Sequence, residues 1–421
     1  MSDMLTPLQS LQQGYWFKLI CGASFQHLPA VRSLTLAYTL AGADCIDVAA
    51  DPAVIAAAQA GLQAAKDLAR DAQGRGFGWE GNLPLLMVSL NDGEDPHFRK
   101  AEFNSSNCPI DCSRPCEKIC PAQAIVFNNP QDSYSGIVAQ KCYGCGRCIP
   151  ACPYEMIDTA SYVSTPGAIA PLIMSTGIDA IEIHTKIGRL AEFQRLWAAM
   201  VKPGTEKLKV IAISCNDGEG LIDYLQAIYN LMSPRPQVVI WQTDGRSMSG
   251  DIGDGTTIAA VKLGQKVLAA NLPGYVQLAG GTNSYTVPKL KELGLLRSAE
   301  CRVLSNEYRV PSSEYRVAST EFRVPSSEGD FTTQHSALQT QDSGLRTQDS
   351  GLSTPDYISG VAYGSYARAL LSPILEQLEN KEVSNTSIKT SIRLEEEPEL
   401  LWQAVELAHS LVSQLKSQRS P

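Results

Sequence analysis

Eight of the twelve cysteines in this 421-residue chain fall between residues 108 and 152, and no other feature limits its fold so tightly. They form two groups. The second reads Cys142-Tyr-Gly-Cys145-Gly-Arg-Cys148-Ile-Pro-Ala-Cys152-Pro153, a C-x2-C-x2-C-x3-C-P run. The first reads Cys108-Pro-Ile-Asp-Cys112-Ser-Arg-Pro-Cys116-Glu-Lys-Ile-Cys120-Pro121, with the same ending and wider spacing before it. Thiolates so close together let one loop present three sulfurs around a single inorganic centre, while the fourth comes from elsewhere in the fold. The second spacing is that of a [4Fe–4S] site. A pair of zinc sites is the alternative. Zinc sites usually pair two short cysteine hooks across a longer gap, and four cysteines within eleven residues fit that poorly.

Two such groups predict a ferredoxin-like, two-cluster module of α+β type over 108–158. In two-cluster ferredoxins the cysteine of the Cys-Pro pair ligates the other cluster. Carried over, Cys142, Cys145 and Cys148 join Cys120, and Cys108, Cys112 and Cys116 join Cys152. Gly144 and Gly146 let the backbone approach the cluster and donate N–H bonds, which raise its potential. The first group is stretched relative to the second. It is expected to hold either a [4Fe–4S] or a [3Fe–4S] cluster.

Composition narrows the setting. With 44% hydrophobic residues the chain has material for a large core. No run of about 18 apolar residues marks a transmembrane helix. Met1 to Gly14 lacks the basic and apolar regions of a secretory signal. A cytoplasmic protein is expected, in which clustered cysteines are metal ligands rather than disulfides. The net charge of −9 comes with no basic block, which argues against a nucleic-acid partner. Peripheral membrane contact stays open, although nothing in the charge pattern calls for it.

Strand-like and helix-like stretches alternate along the rest of the chain. Strands are expected at 15–21, 45–48, 85–89, 180–184, 209–214, 237–242, 275–278 and 357–362. Helices are expected at 28–41, 52–72, 166–176, 189–200, 221–232, 257–270, 288–296 and 365–378. Eight such units keeping one pace predict a (β/α)8 barrel; a doubly wound open parallel sheet is the alternative. The barrel would comprise 15–107, 159–300 and 355–380, with the cysteine module inserted in its third βα loop. That loop lies at the C-terminal face, where barrel enzymes carry their sites. Residues 301–354 are low in complexity. Glu307-Tyr-Arg-Val-Pro, Glu314-Tyr-Arg-Val-Ala and Glu321-Phe-Arg-Val-Pro recur with period seven, which predicts a disordered insertion. A polar linker at 380–391 precedes an amphipathic helix within 394–418. Its Leu401, Val405, Ala408, Val412 and Leu415 share one face, expected to pack on the barrel, with partner docking as the alternative.

Strand ends supply further candidates: Asp47, His184, Asn216, Asp244, Gly280, Gly281 and Asn283. Gly280, Gly281 and Asn283 after the seventh strand, with Gly360 and Gly364 around the eighth, form a candidate phosphate or flavin site. Asp251-Ile-Gly-Asp-Gly255 opens a helix in a similar way. Taken singly, each of these is ordinary turn chemistry. Cys21, Cys45 and Cys215 lie in or beside strands and are expected to be small buried hydrophobes, with Cys301 an exposed thiol.

Three stretches together resemble the cyanobacterial light-dependent period family, LdpA. They are Phe17-Lys-Leu-Ile-Cys-Gly-Ala-Ser-Phe-Gln-His27, Ala41-Gly-Ala-Asp-Cys-Ile-Asp-Val-Ala-Ala-Asp-Pro52, and the double cysteine group. The likeness covers most of 15–300 and resumes at about Tyr357, and the repeat stretch looks like an addition to the family pattern. The resemblance implies an iron–sulfur redox protein in the input to the circadian clock. It would report a light-set cellular redox state to clock components, the circadian input kinase among them. An oxidoreductase or electron-transfer protein with a substrate at the barrel mouth is the alternative. No nucleotide fingerprint follows any strand to supply it with a donor site.

Overall fold

The computed structural model of the chain describes residues 6–22, 27–77, 82–93, 99–120, 123–128, 133–138, 141–142, 148–161, 166–202, 207–245, 253, 255–297, 355–384 and 392–416. Cys145, Gly144, Gly146, Cys301, most of 251–254 and all of 301–354 lie outside the described residues, so the readings placed on them are left there.

A short helix α1 (Pro7–Gln12) leads into β1 (Trp16–Gly22), α2 (Leu28–Leu40), β2 (Cys45–Ala49), α3 (Pro52–Asp67), α4 (Ala69–Gly74) and β3 (Leu85–Asn91). The cysteine module follows. It contains β4 (Arg99–Glu102), α5 (Pro115–Ile119), β5 (Ile125–Val126), β6 (Gly136–Ile137), α6 (Cys148–Ala151) and β7 (Asp158–Ser161). Alternation then resumes with α7 (Pro166–Met174), β8 (Ala180–His184), α8 (Leu190–Val201), β9 (Val210–Cys215), α9 (Leu221–Leu231), β10 (Val239–Asp244), α10 (Thr256–Ala269), β11 (Tyr275–Ala279) and α11 (Thr286–Glu292). The chain finishes with β12 (Gly360–Tyr363), α12 (Ser365–Ser384) and α13 (Pro398–Lys416).

Eight strands close into a barrel in the order β1-β2-β3-β8-β9-β10-β11-β12, and β12 pairs back to β1. Every barrel pairing is parallel. The fold is therefore the closed (β/α)8 barrel, not the open sheet. Parallel strands are covered on both faces, so they read as nearly unbroken apolar runs, and β9 is buried along its whole length. Outward-facing Leu, Ile and Val of the strands pack under the helices and make the main core. Asp51 starts α3: its Oδ1 accepts the Ala53 N–H at 2.8 Å, and Pro52 follows at the first helical position.

Several boundaries differ from the sequence reading. The eighth strand begins at Gly360 rather than residue 357, because Ser359 and Ile358 are used first in loop hydrogen bonds to Val276 and Leu295. The expected 52–72 helix breaks at Leu68 into α3 and α4. The helix expected at 288–296 is α11, which ends at Glu292. α12 continues to Ser384, past the expected end at residue 378. A strand pair flanks the cysteine module. β4 pairs antiparallel with β7, Arg99 opposite Ser161 and Glu102 opposite Asp158, so a two-stranded neck closes the insertion at its base.

Opposite ends of the barrel are treated differently. At the N-terminal end an apolar layer of Trp16, Cys45, Leu85, Ala180, Val210, Ile240 and Tyr275 fills the interior, with Leu11 of α1 beneath it. The Lys416 ammonium at the end of α13 bonds both Asp44 carboxylate oxygens, at 2.7 and 2.6 Å, and Ser10 Oγ at 3.0 Å. Asp44 also accepts the Phe17 N–H at 2.7 Å. The α13 residues Leu401, Val405, Ala408, Val412 and Leu415 are all buried, and the helix packs on α2 and α12. The neck stands at the other end. Lys100 of β4 pairs at 3.1 Å with Asp51, the residue that caps α3.

Candidate iron–sulfur centre and barrel interior

The module is built as a repeat. α5 is followed by Cys120-Pro-Ala-Gln-Ala-Ile125, and α6 by Cys152-Pro-Tyr-Glu-Met-Ile157. In each half the residue three beyond the cysteine, Gln123 or Glu155, turns back with positive φ, at 49° and 51°. Its N–H donates to the cysteine carbonyl, at 3.1 Å from Gln123 and 3.2 Å from Glu155. The next N–H donates to the cysteine sulfur, from Ala124 to Cys120 Sγ at 3.2 Å and from Met156 to Cys152 Sγ at 3.4 Å. Two more backbone donors reach cysteine sulfurs: Ala101 N–H to Cys142 Sγ and Arg114 N–H to Cys112 Sγ, both at 3.4 Å.

These contacts test whether the residues suit an iron–sulfur cluster, and they do. Backbone N–H groups aimed at sulfur favour the thiolate, the form that binds iron. Burial and the neighbouring Cys112 and Cys152 sulfurs push the Cys108 thiol up. Burial also pushes Cys116 up, with Cys152 and Cys108 adding to it. Thiolates crowded in this way repel one another unless cations stand between them, which is the chemistry iron supplies. Cys116, Cys142 and Cys148 are buried with Ala101, Ala124, Ile125 and Ile157 in a small core of the module's own. Cys108, Cys112, Cys120 and Cys152 are half-buried. Among the described residues no three His, Cys, Asp or Glu side chains close around a single ion. Ligands of a cubane bind its separate corners and stand farther apart than those of one metal.

A second constellation lies inside the barrel. Lys18 Nζ bonds Asp47 Oδ2 at 3.1 Å, Glu182 Oε2 on the far wall, and Met87 Sδ at 3.6 Å. All three charged side chains are sealed from solvent, at 0%, 1% and 0% exposure. Asp47 Oδ1 accepts Ser89 Oγ–H at 2.8 Å. Glu182 Oε1 accepts the Gln242 amide and lies 3.1 Å from His184 Nε2. The chain of bonds continues from the Gln277 amide to Gln242 Oε1 and from the Trp16 indole N–H to Gln277 Oε1, both 2.6 Å. Burial, set against the attraction of Lys18, pushes the Asp47 carboxyl up to about 6. The lysine stays charged, because its two carboxylate partners outweigh its own burial.

The other predicted residues fall in several places. His184 and Asp244 end β8 and β10 at the C-terminal mouth, Asn216 follows β9, and Ser214 Oγ–H donates to Asp244 Oδ2. Gly280 and Gly281 follow β11, and Gly364 follows β12, all on that same face. Gly360 is at the opposite end of β12, where a Cβ would stand 2.4 Å from the Trp16 carbonyl oxygen. That glycine serves strand packing and is not grouped with the others. Gly281 has φ 95°, and a Cβ there would meet Thr256 Cβ at 2.9 Å, so it lets the loop lie on the start of α10. Asn283 accepts the Thr257 hydroxyl at 3.0 Å and the Tyr285 N–H at 2.9 Å, and its amide donates to the Gly253 carbonyl at 3.0 Å. Its side chain ties the loop after β11 to Gly253 and to the start of α10. Cys21, Cys45 and Cys215 are buried as expected, and burial raises all three thiols.

Comparison with known proteins agrees with both parts of the molecule. Residues 108–163 match the LdpA Fe-S cluster-binding domain, and residues 172–414 match the Light dependent period A C-terminal domain. Light dependent period A of Synechococcus elongatus is 42% identical over 410 residues, spanning 97% of this chain and 94% of the relative. The chain belongs to the light dependent period A family. It carries that family's iron–sulfur cluster-binding domain, whose match begins at Cys108, after the neck strand β4. The C-terminal domain of the family takes in β8 to β12 and α13, hence most of the barrel wall. Sequence reasoning missed Lys18, Glu182, Gln242 and Gln277. Each is a polar residue in the middle of an apolar strand, at an alternate position that in a closed barrel faces inward. That alternation was the available signal.

Proposed function

We propose that the chain is an iron–sulfur redox sensor that passes a light-dependent redox state to the circadian clock through partner proteins. The name of its relative, Light dependent period A, supports the light-dependent clock setting, and the matched domain supports the clusters. The observation that carries the sensing step is the shallow burial of the first cysteine group. Three of the four sulfurs assigned to the first group, those of Cys108, Cys112 and Cys152, are half-buried. Beside them Ile110 is 98% exposed, and Tyr154, also exposed, feels Asp111, Cys112 and Cys108. An apolar and aromatic surface next to a shallow redox group suits a partner that reads its state. Cys108, Cys112, Cys116 and Cys152 would hold one cluster; Cys120, Cys142, Cys145 and Cys148 would hold the other, a [4Fe–4S]. When bound, such clusters exchange electrons one at a time. The chain's own part is to fix the sulfurs, to donate N–H bonds from Ala101, Arg114, Ala124 and Met156, and to set how much water reaches each group.

The test is binding of the cluster-loaded protein to the circadian input kinase, in dithionite-reduced and air-oxidised states. Affinity is expected to differ between the states, and the difference to vanish in Ile110→Asp. Equal affinity in both states would overturn the sensor. The polar barrel interior favours a second reading, an oxidoreductase. Turnover of a donor and acceptor pair by the purified protein would establish that one.

A further inference from the structure

Arg114 has a backbone conformation that its residue type does not favour. Its φ is 52°, in the left-handed region that glycine takes without strain, and Pro115 follows it. Glycine at this place would keep the N–H that donates to Cys112 Sγ at 3.4 Å and would relax the turn. The backbone bond therefore does not account for an arginine here.

The side chain is what the fold holds. The Arg114 guanidinium lies 4.1 Å from the ring centroid of Phe127, which follows β5. Phe127 packs in turn against Phe103, just beyond β4, with ring centroids 5.8 Å apart. Both rings lie against the small core that buries Cys116, Cys142 and Cys148. Among the described residues no carboxylate pairs with Arg114, so its charge is not offset by a salt bridge. The result is a half-buried cation, two residues after Cys112 and two before Cys116. Its charge is felt at the Cys108 sulfur, where it favours the anionic form. The other charges close by in the chain are placed differently. Asp111 and Lys118 are exposed, where water and salt screen them. Glu117 acts on Cys116 through its backbone N–H. Arg147 stands at the matching place after Cys145, outside the described residues.

We propose that the Arg114 side chain, held on the Phe127 ring, sets the potential of the first cluster. Reduction adds one negative charge at a centre already surrounded by thiolates. A cation fixed beside it is attracted more strongly to the reduced form and so raises the potential. Without the ring the same charge would swing into water and be screened. This role rests on the assignment of Cys108, Cys112, Cys116 and Cys152 to one cluster.

Redox titration of the full cluster-loaded chain tests it, with dithionite as reductant and each cluster followed by its electron paramagnetic resonance signal. Arg114→Gly keeps the N–H and removes the cation. One reduction equilibrium is expected to fall by about tenfold in this variant, about 59 mV for a one-electron couple, while the other stays. Arg114→Gln is expected to match it. Arg114→Lys keeps the charge and is expected to recover most of the difference, whereas an arginine needed only for packing would make lysine no better than glutamine. Iron and sulfide per chain show whether each variant is loaded. Parent potentials in both neutral variants, an equal fall in Arg114→Lys, or loss of a cluster from both neutral variants would each overturn the role of Arg114. Iron for only one cluster in the parent chain would overturn the assignment beneath it.

Discussion

Lys18 shows how much one side chain decides. It sits in Tyr-Trp-Phe-Lys-Leu-Ile-Cys, which in the sequence is simply a strand. The surroundings that give it meaning come from β2 and β8, and only closure of the barrel brings them together. Lys18→Met is expected to leave two carboxylates buried without their cation and to cost about 3–5 kcal/mol, read from the urea midpoint. Asp47 makes the network sensitive to pH. Its carboxyl is raised by burial from 3.8 to about 6. Between those values the folded chain holds a proton that the unfolded chain has released, so stability falls as pH rises through that window and levels off above it. Asp47→Asn is expected to lose less stability than the parent between about pH 4 and pH 7, by urea unfolding at each pH. The cysteines were far more legible than Lys18, because metal ligation leaves its mark as local spacing. A cross-barrel ion pair has no local spacing to leave.

At the level of elements, the neck joins the two chemistries. β4 carries Lys100, which reaches Asp51 on the barrel, and next to it Ala101, whose N–H reaches Cys142 Sγ. The sequence marks neither contact: Arg99-Lys-Ala-Glu102 has no periodicity that separates it from a loop. Ala101→Pro removes that donor. Because N–H bonds to sulfur raise cluster potential, the second group's potential is expected to fall, by redox titration followed in the visible spectrum. A variant with the parent potential would show that the contact carries no weight. The repeat of Cys-Pro turns was half legible. The shared ending was visible, but the N–H donors belong to Ala124 and Met156, residues with no chemistry of their own. The terminal helix was well marked by its apolar period. What the period could not give is the Lys416 clamp on Asp44. Lys416→Met is expected to cost about 3–5 kcal/mol by leaving Asp44 buried and unpaired, measured by thermal unfolding.

Across the whole molecule the alternation of strands and helices was enough to give the barrel, since that pattern has few other closed solutions. The long repeat-bearing segment is where pattern gave least. The described residues on either side of it meet at the barrel: Ile358 N–H donates to Leu295 O at 2.8 Å, and Tyr357 OH to Gln12 O at 2.6 Å. Closing a loop costs only about 0.6 kcal/mol more for each doubling of its length. Replacing 301–354 by a short Gly-Ser linker is therefore expected to leave cluster absorbance unchanged and the melting temperature the same or slightly higher. The β4–β7 neck has a wider consequence. Because the strands that enter and leave the module lie side by side, the chain between Glu102 and Asp158 is a graft on an uninterrupted host. Iron is expected to order the graft and to leave the host as it is. Chelation of iron is therefore expected to change the proteolytic susceptibility of the cysteine loops while the far-ultraviolet circular dichroism and melting of the barrel stay as they were.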